Sequence, residues 1–225
     1  MTGNPFVQEV VWQLGPVPIT RPVVTTWGVM AVLALFGFWA SRGSGSGTTA
    51  APGRAGTTAE WLLDALREEM RATMQTEPGP FLPIIGSLFA LILLANLAGL
   101  LPGVEPPTGA LETDLALALS VWVIVIVAGV QRQGGWGYLK SFAKPNIMML
   151  PLNIMETVTR VLSMSIRLFG NVMSGMFISA VVLALAGLLV PIPFMALEML
   201  TGVLQAYIFS VLAMVFIAGA MSEEG

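Results

Sequence analysis

The chain has 225 residues, 56% of them hydrophobic and 10% charged, and a formal net charge of -3 at neutral pH. Soluble domains carry about 25% charged residues, so this composition, with a mean hydropathy of +0.83, excludes an ordinary water-soluble fold and marks an integral membrane protein. No basic patch of the kind that binds nucleic acid is present, and the absence of both Cys and His removes disulfides, thiolate or imidazole metal sites, and Cys/His or Ser/His catalysis.

Residues 1–21, with Pro16 and Pro18, read as an irregular lead-in. The first apolar run, 22–41, lacks a leader of Lys and Arg and reads as a retained helix, not a signal peptide. Residues 43–56 (GSGSGTTAAPGRAG) have the composition of a flexible linker. In 58–76, Leu62, Leu66, Met70 and Met74 recur every fourth residue, with Asp64, Arg67, Glu68 and Arg71 off that line. This pattern predicts an amphipathic helix on the cytoplasmic surface or against a partner, with a solvated connector helix as the plainer reading.

Further apolar runs at 81–101, 114–131, 147–190 and 193–222 are nearly free of charge, which predicts about five membrane-embedded helices in an all-α membrane protein. Arg42, Arg54, Arg67 and Arg71 follow the first span and Arg132, Lys140 and Lys144 follow the third. The loop between the second and third carries only Glu105 and Glu112. The positive-inside rule then places the N-terminus outside and the C-terminus in the cytoplasm. The run 147–190 would extend about 65 Å as one helix, against a hydrocarbon core of about 30 Å. It must tilt strongly, bend near Gly170 or Gly175, or start along the interface at Pro151, and the V-P-I-P turn at 190–193 then folds it into a hairpin with 193–222.

Arg167 sits near the middle of that run, roughly 30 Å of helix from either end and beyond the reach of a snorkelling side chain. An Arg at mid-bilayer costs about 2.5–3.5 kcal/mol on insertion scales and is a functional signal by default. Glu156, Arg160, Ser163, Arg167, Asn171 and Ser174 follow at spacings of 4, 3, 4, 4 and 3, which keeps them on one helix face. Arg160 has Glu156 four residues back as a structural partner, whereas Arg167 has no carboxylate at three or four residues on either side. On the returning helix, Glu198, Thr201 and Gln205 share a face. Glu198 reads either as a surface carboxylate or as a titratable group at the mouth of an aqueous path. Gln205, which both donates and accepts, is positioned by this reading to orient Arg167 across the hairpin. The missing counter-charge of Arg167 points to an acidic residue on a second subunit.

The hairpin motifs S-x-R-L-F-G-N-x-x-x-G (Ser165, Arg167, Leu168, Phe169, Gly170, Asn171, Gly175) and L-Q-A-Y-I-F (Leu204 to Phe209), with an acidic S-E-E ending at Ser222, Glu223 and Glu224, resemble the a subunit of rotary F-type ATP synthases. Weaker matches are N-L-A-G-L-L-P from Asn96 to Pro102, Pro107 with Thr108, and Ile19, Thr20, Thr25, Thr26 and Trp27. The resemblance implies a non-catalytic stator subunit of the bacterial inner membrane, without cofactor or metal. Its partners would be membrane lipid, a b-type peripheral stalk and a ring of c subunits whose carboxylate meets Arg167 between two half-channels. Arg167, Asn171, Glu198 and Gln205 would then carry ion translocation, with Glu112, Asp114, Glu156, Arg160 and Ser163 as supporting polar groups.

Two departures from the family pattern concern the access path. Met176 stands where many relatives have Glu or His, and the usual T-x-D-x-N of the outer loop reads Thr108, Gly109, Ala110, Leu111, Glu112, followed by Asp114. A more acidic vestibule suits Na⁺ as well as H⁺. A stand-alone channel or secondary transporter is the alternative, opposed by the lack of internal repeats and of an internal counterion. An intramembrane enzyme lacks the residues for its chemistry.

Overall fold

The computed structural model describes residues 10–14, 17–43, 54–74, 79–99, 104–141, 147–187 and 190–221. Seven α-helices dominate them: α1 Arg21–Gly43, α2 Arg54–Met74, α3 Leu82–Ala98, α4 Leu111–Gln133, α5 Gly135–Ser141, α6 Leu150–Ala186 and α7 Pro191–Met221. Helices α1, α4, α6 and α7 are long and apolar enough to cross a membrane, and α3 is a shorter apolar helix of 17 residues. The all-α membrane class is as expected, with one addition. In place of a wholly irregular lead-in, β1 Val10–Leu14 and β2 Val17–Thr20 pair as an antiparallel ribbon. Pro18 is tolerated because both strands of a two-stranded ribbon are edges.

Several boundaries differ from those read off the sequence. Of the Gly/Ser-rich stretch 43–56, residues 44–53 lie outside the described residues, and α2 already begins at Arg54. The C-terminal S-E-E also falls outside them. The returning helix starts at Pro191 rather than at 193, because a proline in the first helical turn gives up only an amide that would have had no intrahelical acceptor. The preceding helix ends at Ala186, where Gly187 takes φ +80°, a conformation that terminates a helix and suits glycine. Gly134, at φ +75°, likewise ends α4 and turns the chain into α5, which the hydropathy pattern did not signal.

Helix α6 runs unbroken through Gly170 and Gly175 for 37 residues, about 55 Å, so tilt rather than a break fits it to a bilayer. It packs with α7 as a hairpin, and α3 and α4 complete the bundle. One core layer joins Ile92, Ala118, Leu168, Ala206 and Phe209, and a second joins Met70, Met74, Ile85, Ala128, Met214 and Ile217. Met70 and Met74 of α2 are therefore buried against the chain's own bundle, which covers this part of the helix's apolar line. Its Asp64, Arg67, Glu68 and Arg71 remain exposed. Large apolar side chains elsewhere point outward along α1, α6 and α7, including Leu35, Phe36, Phe177 and Leu200, as lipid-facing surfaces require.

Candidate ion-translocation site

The two faces of α6 are chemically distinct. Met164, Ser165, Leu168 and Val172 are buried in the bundle, while Ser163, Arg167, Gly170 and Ser174 are exposed and Arg160 and Asn171 lie at the edge. The helical period thus splits the motif: its leucine anchors the helix and its arginine is left on the open side. Among the described residues Arg167 makes no ion pair or hydrogen bond with its own chain. Seven residues earlier, Arg160 pairs with Glu156, the partner its spacing offered, and stacks 4.2 Å over the Phe216 ring.

The Glu156–Arg160 pair lines a cavity of about 420 Å³ between α4, α5, α6 and α7, with Trp122, Tyr138, Asn153 and Phe216 on its walls. Burial pushes the Tyr138 phenol above its ordinary range, and the nearby Arg160 charge partly offsets this. Tyr138 lies so close to Gly129 that any side chain there would meet its ring, so α5 is seated directly on α4 beside this polar pocket.

At the opposite end, Glu198 lies against Gly175, and a β-carbon on that glycine would meet the glutamate Cδ and Oε1. The absence of a side chain at 175 is what lets the carboxylate approach α6. Gln205 does not reach Arg167 as the sequence suggested. It is 8% exposed and lies on the bundle side of α7 beside buried Ala206, Phe209 and Ser210, with its Nε2 unpartnered, whereas Arg167 lies on the open face of α6. Asn171 contributes its carbonyl to the Ser174 hydroxyl at 3.0 Å.

Two polar residues that sequence reasoning left out of the site hold this end together. The Asn96 amide donates to the Gly202 carbonyl at 3.0 Å, and its Oδ1 accepts from the Thr108 hydroxyl at 2.8 Å. An Asn inside an otherwise apolar run was the available signal. The loop Pro107–Gly109 forms a 3₁₀ turn whose Gly109 packs on Val172 and Met176, bringing the acidic loop against α6. Glu112 at the start of α4 is exposed. Asp114, two residues on, is 0% exposed, and neither carboxylate oxygen has a hydrogen-bond partner.

Residues 23–218 match the family described as ATP synthase A chain. The chain is 47% identical to ATP synthase subunit a 2 of Bradyrhizobium sp. over 99% of its length and 98% of that protein's. It is 41% identical to ATP synthase subunit a 2 of Acaryochloris marina, covering 96% and 92% of the two chains. It is also 41% identical to ATP synthase subunit a 1 of Chlorobaculum parvum, covering 95% and 93%. A match of this extent, on a bundle that carries the RLFGN helix, establishes that the chain belongs to the ATP synthase A chain family.

Proposed function

We propose that this chain is the ion-translocating stator subunit of a rotary F-type ATP synthase, and that it couples the flow of H⁺ or Na⁺ to rotation of a ring of c subunits. The observation that carries the reading is Arg167: a cation in a membrane span, on the open face of its helix, without a partner among the described residues of its own chain. A carboxylate presented by the ring supplies that partner. Opposite charges about 4 Å apart attract by about 4 kcal/mol at an effective dielectric of about 20, and a membrane potential contributes about 2.3 kcal/mol per charge per 100 mV. The two are comparable, so the arginine holds a ring carboxylate ionised without trapping the rotor.

Access to Arg167 comes from both ends in this reading. Glu198, Glu112 and the Asn96–Thr108 pair define the outer half-channel, and the cavity with Glu156 and Arg160 supports the inner one. Ser163 and Asn171 flank Arg167 on the face turned toward the ring. In this reading the ends of α1 and α4 that carry basic residues face the cytoplasm of a bacterial plasma membrane and the N-terminus lies outside, an orientation the positive-inside rule supports. A b-type peripheral stalk holds the subunit against rotation, and chemistry on ATP belongs to other subunits. In proteoliposomes the assembled complex drives ATP-dependent ion uptake, while the purified chain alone carries no gradient-driven flux. Uptake of Na⁺ that persists with a protonophore identifies Na⁺ as the ion, and flux through the chain alone is the result that rejects the stator role.

A further inference from the structure

Asp114 is the most deeply buried acidic side chain among the described residues, and nothing in the bundle accounts for it. Its surroundings follow from helix geometry. Ile92, Ala118, Leu168 and Ala206, one from each of α3, α4, α6 and α7, pack in a single apolar layer. One helical turn toward the acidic-loop end from each of them stand Asn96, Asp114, Val172 and Gly202. These positions form the next layer, in which Asn96 accepts from the Thr108 hydroxyl and donates to the Gly202 carbonyl. Gln205, three residues from Gly202 on the same face of α7, is also buried. Both oxygens of Asp114 and the Nε2 of Gln205 are buried and without a hydrogen-bond partner.

A buried carboxylate with neither a donor nor a cation is strongly unfavourable, and a proton or a metal cation on it relieves that cost. Among the described residues no basic side chain pairs with it. On α3 the layer offers only Asn96, and on α6 only Val172, since Arg167 lies on the open face. On α7 the nearest charge is Glu198, itself acidic. At the loop end Arg21 lies 3.8 Å from Glu105, and Glu112 is exposed. Carboxylate, amide and hydroxyl oxygens are hard ligands of the kind that suit a proton or an alkali cation.

We propose that Asp114, with Asn96, Thr108 and Gln205, forms a second holding site for the transported monovalent cation, one step outside Arg167 on the outer access path. This rests on the stator reading above and assigns to it a carboxylate that the ion must neutralise on its way to the ring. The apolar layer directly beneath stops the ion from continuing through the bundle, which leaves a lateral exit past Gly175 and Glu198 toward the open face of α6.

The test uses the complete reconstituted complex with Asp114→Asn, an isosteric change that removes the charge. ATP synthesis is titrated against outer Na⁺ at fixed pH, and against outer pH at fixed Na⁺. The expected result is a rise of about tenfold or more in the half-saturating concentration of one ion, as when a charged ligand is lost, with partial restoration by Asp114→Glu and no loss of heat stability. The titration that shifts separates H⁺ from Na⁺. Unchanged half-saturation in both titrations overturns the proposal. So does failure of the Asn complex to assemble, because a carboxyl with no donor to satisfy has no packing need of its charge. If Arg167→Ala abolishes coupling while Asp114→Asn leaves both titrations untouched, only the Asp114 site falls; if Arg167→Ala leaves coupling intact, the stator reading falls with it.

Discussion

Arg167→Ala abolishes ATP synthesis driven by an imposed ion gradient in the reconstituted complex, while the complex still assembles. The substitution removes the one cation on the open face of α6 that has no structural commitment, for Arg160 is held by Glu156 and Phe216 and is seven residues, about 10 Å, away along the helix. Losing an attraction of about 4 kcal/mol corresponds to about a thousandfold in the step it controls. Assembly survives because Arg167 contributes nothing to the buried face, where Leu168, Val172 and Met164 do the packing. Arg167→Lys keeps the charge but loses the planar fork, so it retains only a small residual rate. Coupled synthesis measured in proteoliposomes at wild-type rates in the Ala variant is the contrary outcome.

The second large effect is at Glu198. Glu198→Ala slows ion transport by about a hundredfold, the lower end of what a positioned proton-transfer group contributes, and Glu156→Ala slows it by less than about threefold. The difference follows from their settings. Glu198 is half-buried against the backbone of Gly175, where a carboxylate joins the outer polar end to the arginine face. Glu156 is exposed and engaged with Arg160, and exposed pairs of that kind are worth at most about 1 kcal/mol. Equal and mild losses, read from ATP-driven uptake in vesicles, make Glu198 an ordinary surface carboxylate.

How far the sequence carried the fold can be judged residue by residue. Helix spans were legible because the bilayer demands long uncharged runs, and α1, α3, α4, α6 and α7 fall on five of them. The docking of α2 was not, since a Leu/Met stripe looks the same whether it meets lipid, another subunit or, as here, the chain's own α3, α4 and α7. The start of α7 was misplaced because a proline pair marks a turn or a first helical turn equally well. At the site, spacing correctly put Ser163, Arg167 and Ser174 on one exposed face. It said nothing of how α6 and α7 pack against each other, a packing that leaves Gln205 buried and Arg167 exposed. Asn96 and Thr108 form a long-range polar pin that no local period reveals, and the buried, unpartnered state of Asp114 is a property of packing alone.

The central claim is that the open face of α6 meets a ring subunit at its ion-carrying carboxylate. The natural chain has no cysteine, so single cysteines report contact cleanly, and a disulfide forms only when the two Cα atoms come within about 7 Å. With a second cysteine placed beside the ring carboxylate, Ser163→Cys and Asn171→Cys, one turn on either side of Arg167, cross-link to the ring on oxidation. Leu168→Cys, at a position 0% exposed in the bundle, does not. Cross-links absent from positions 163 and 171, or no stronger than those from lipid-facing Leu35 on α1, contradict the account.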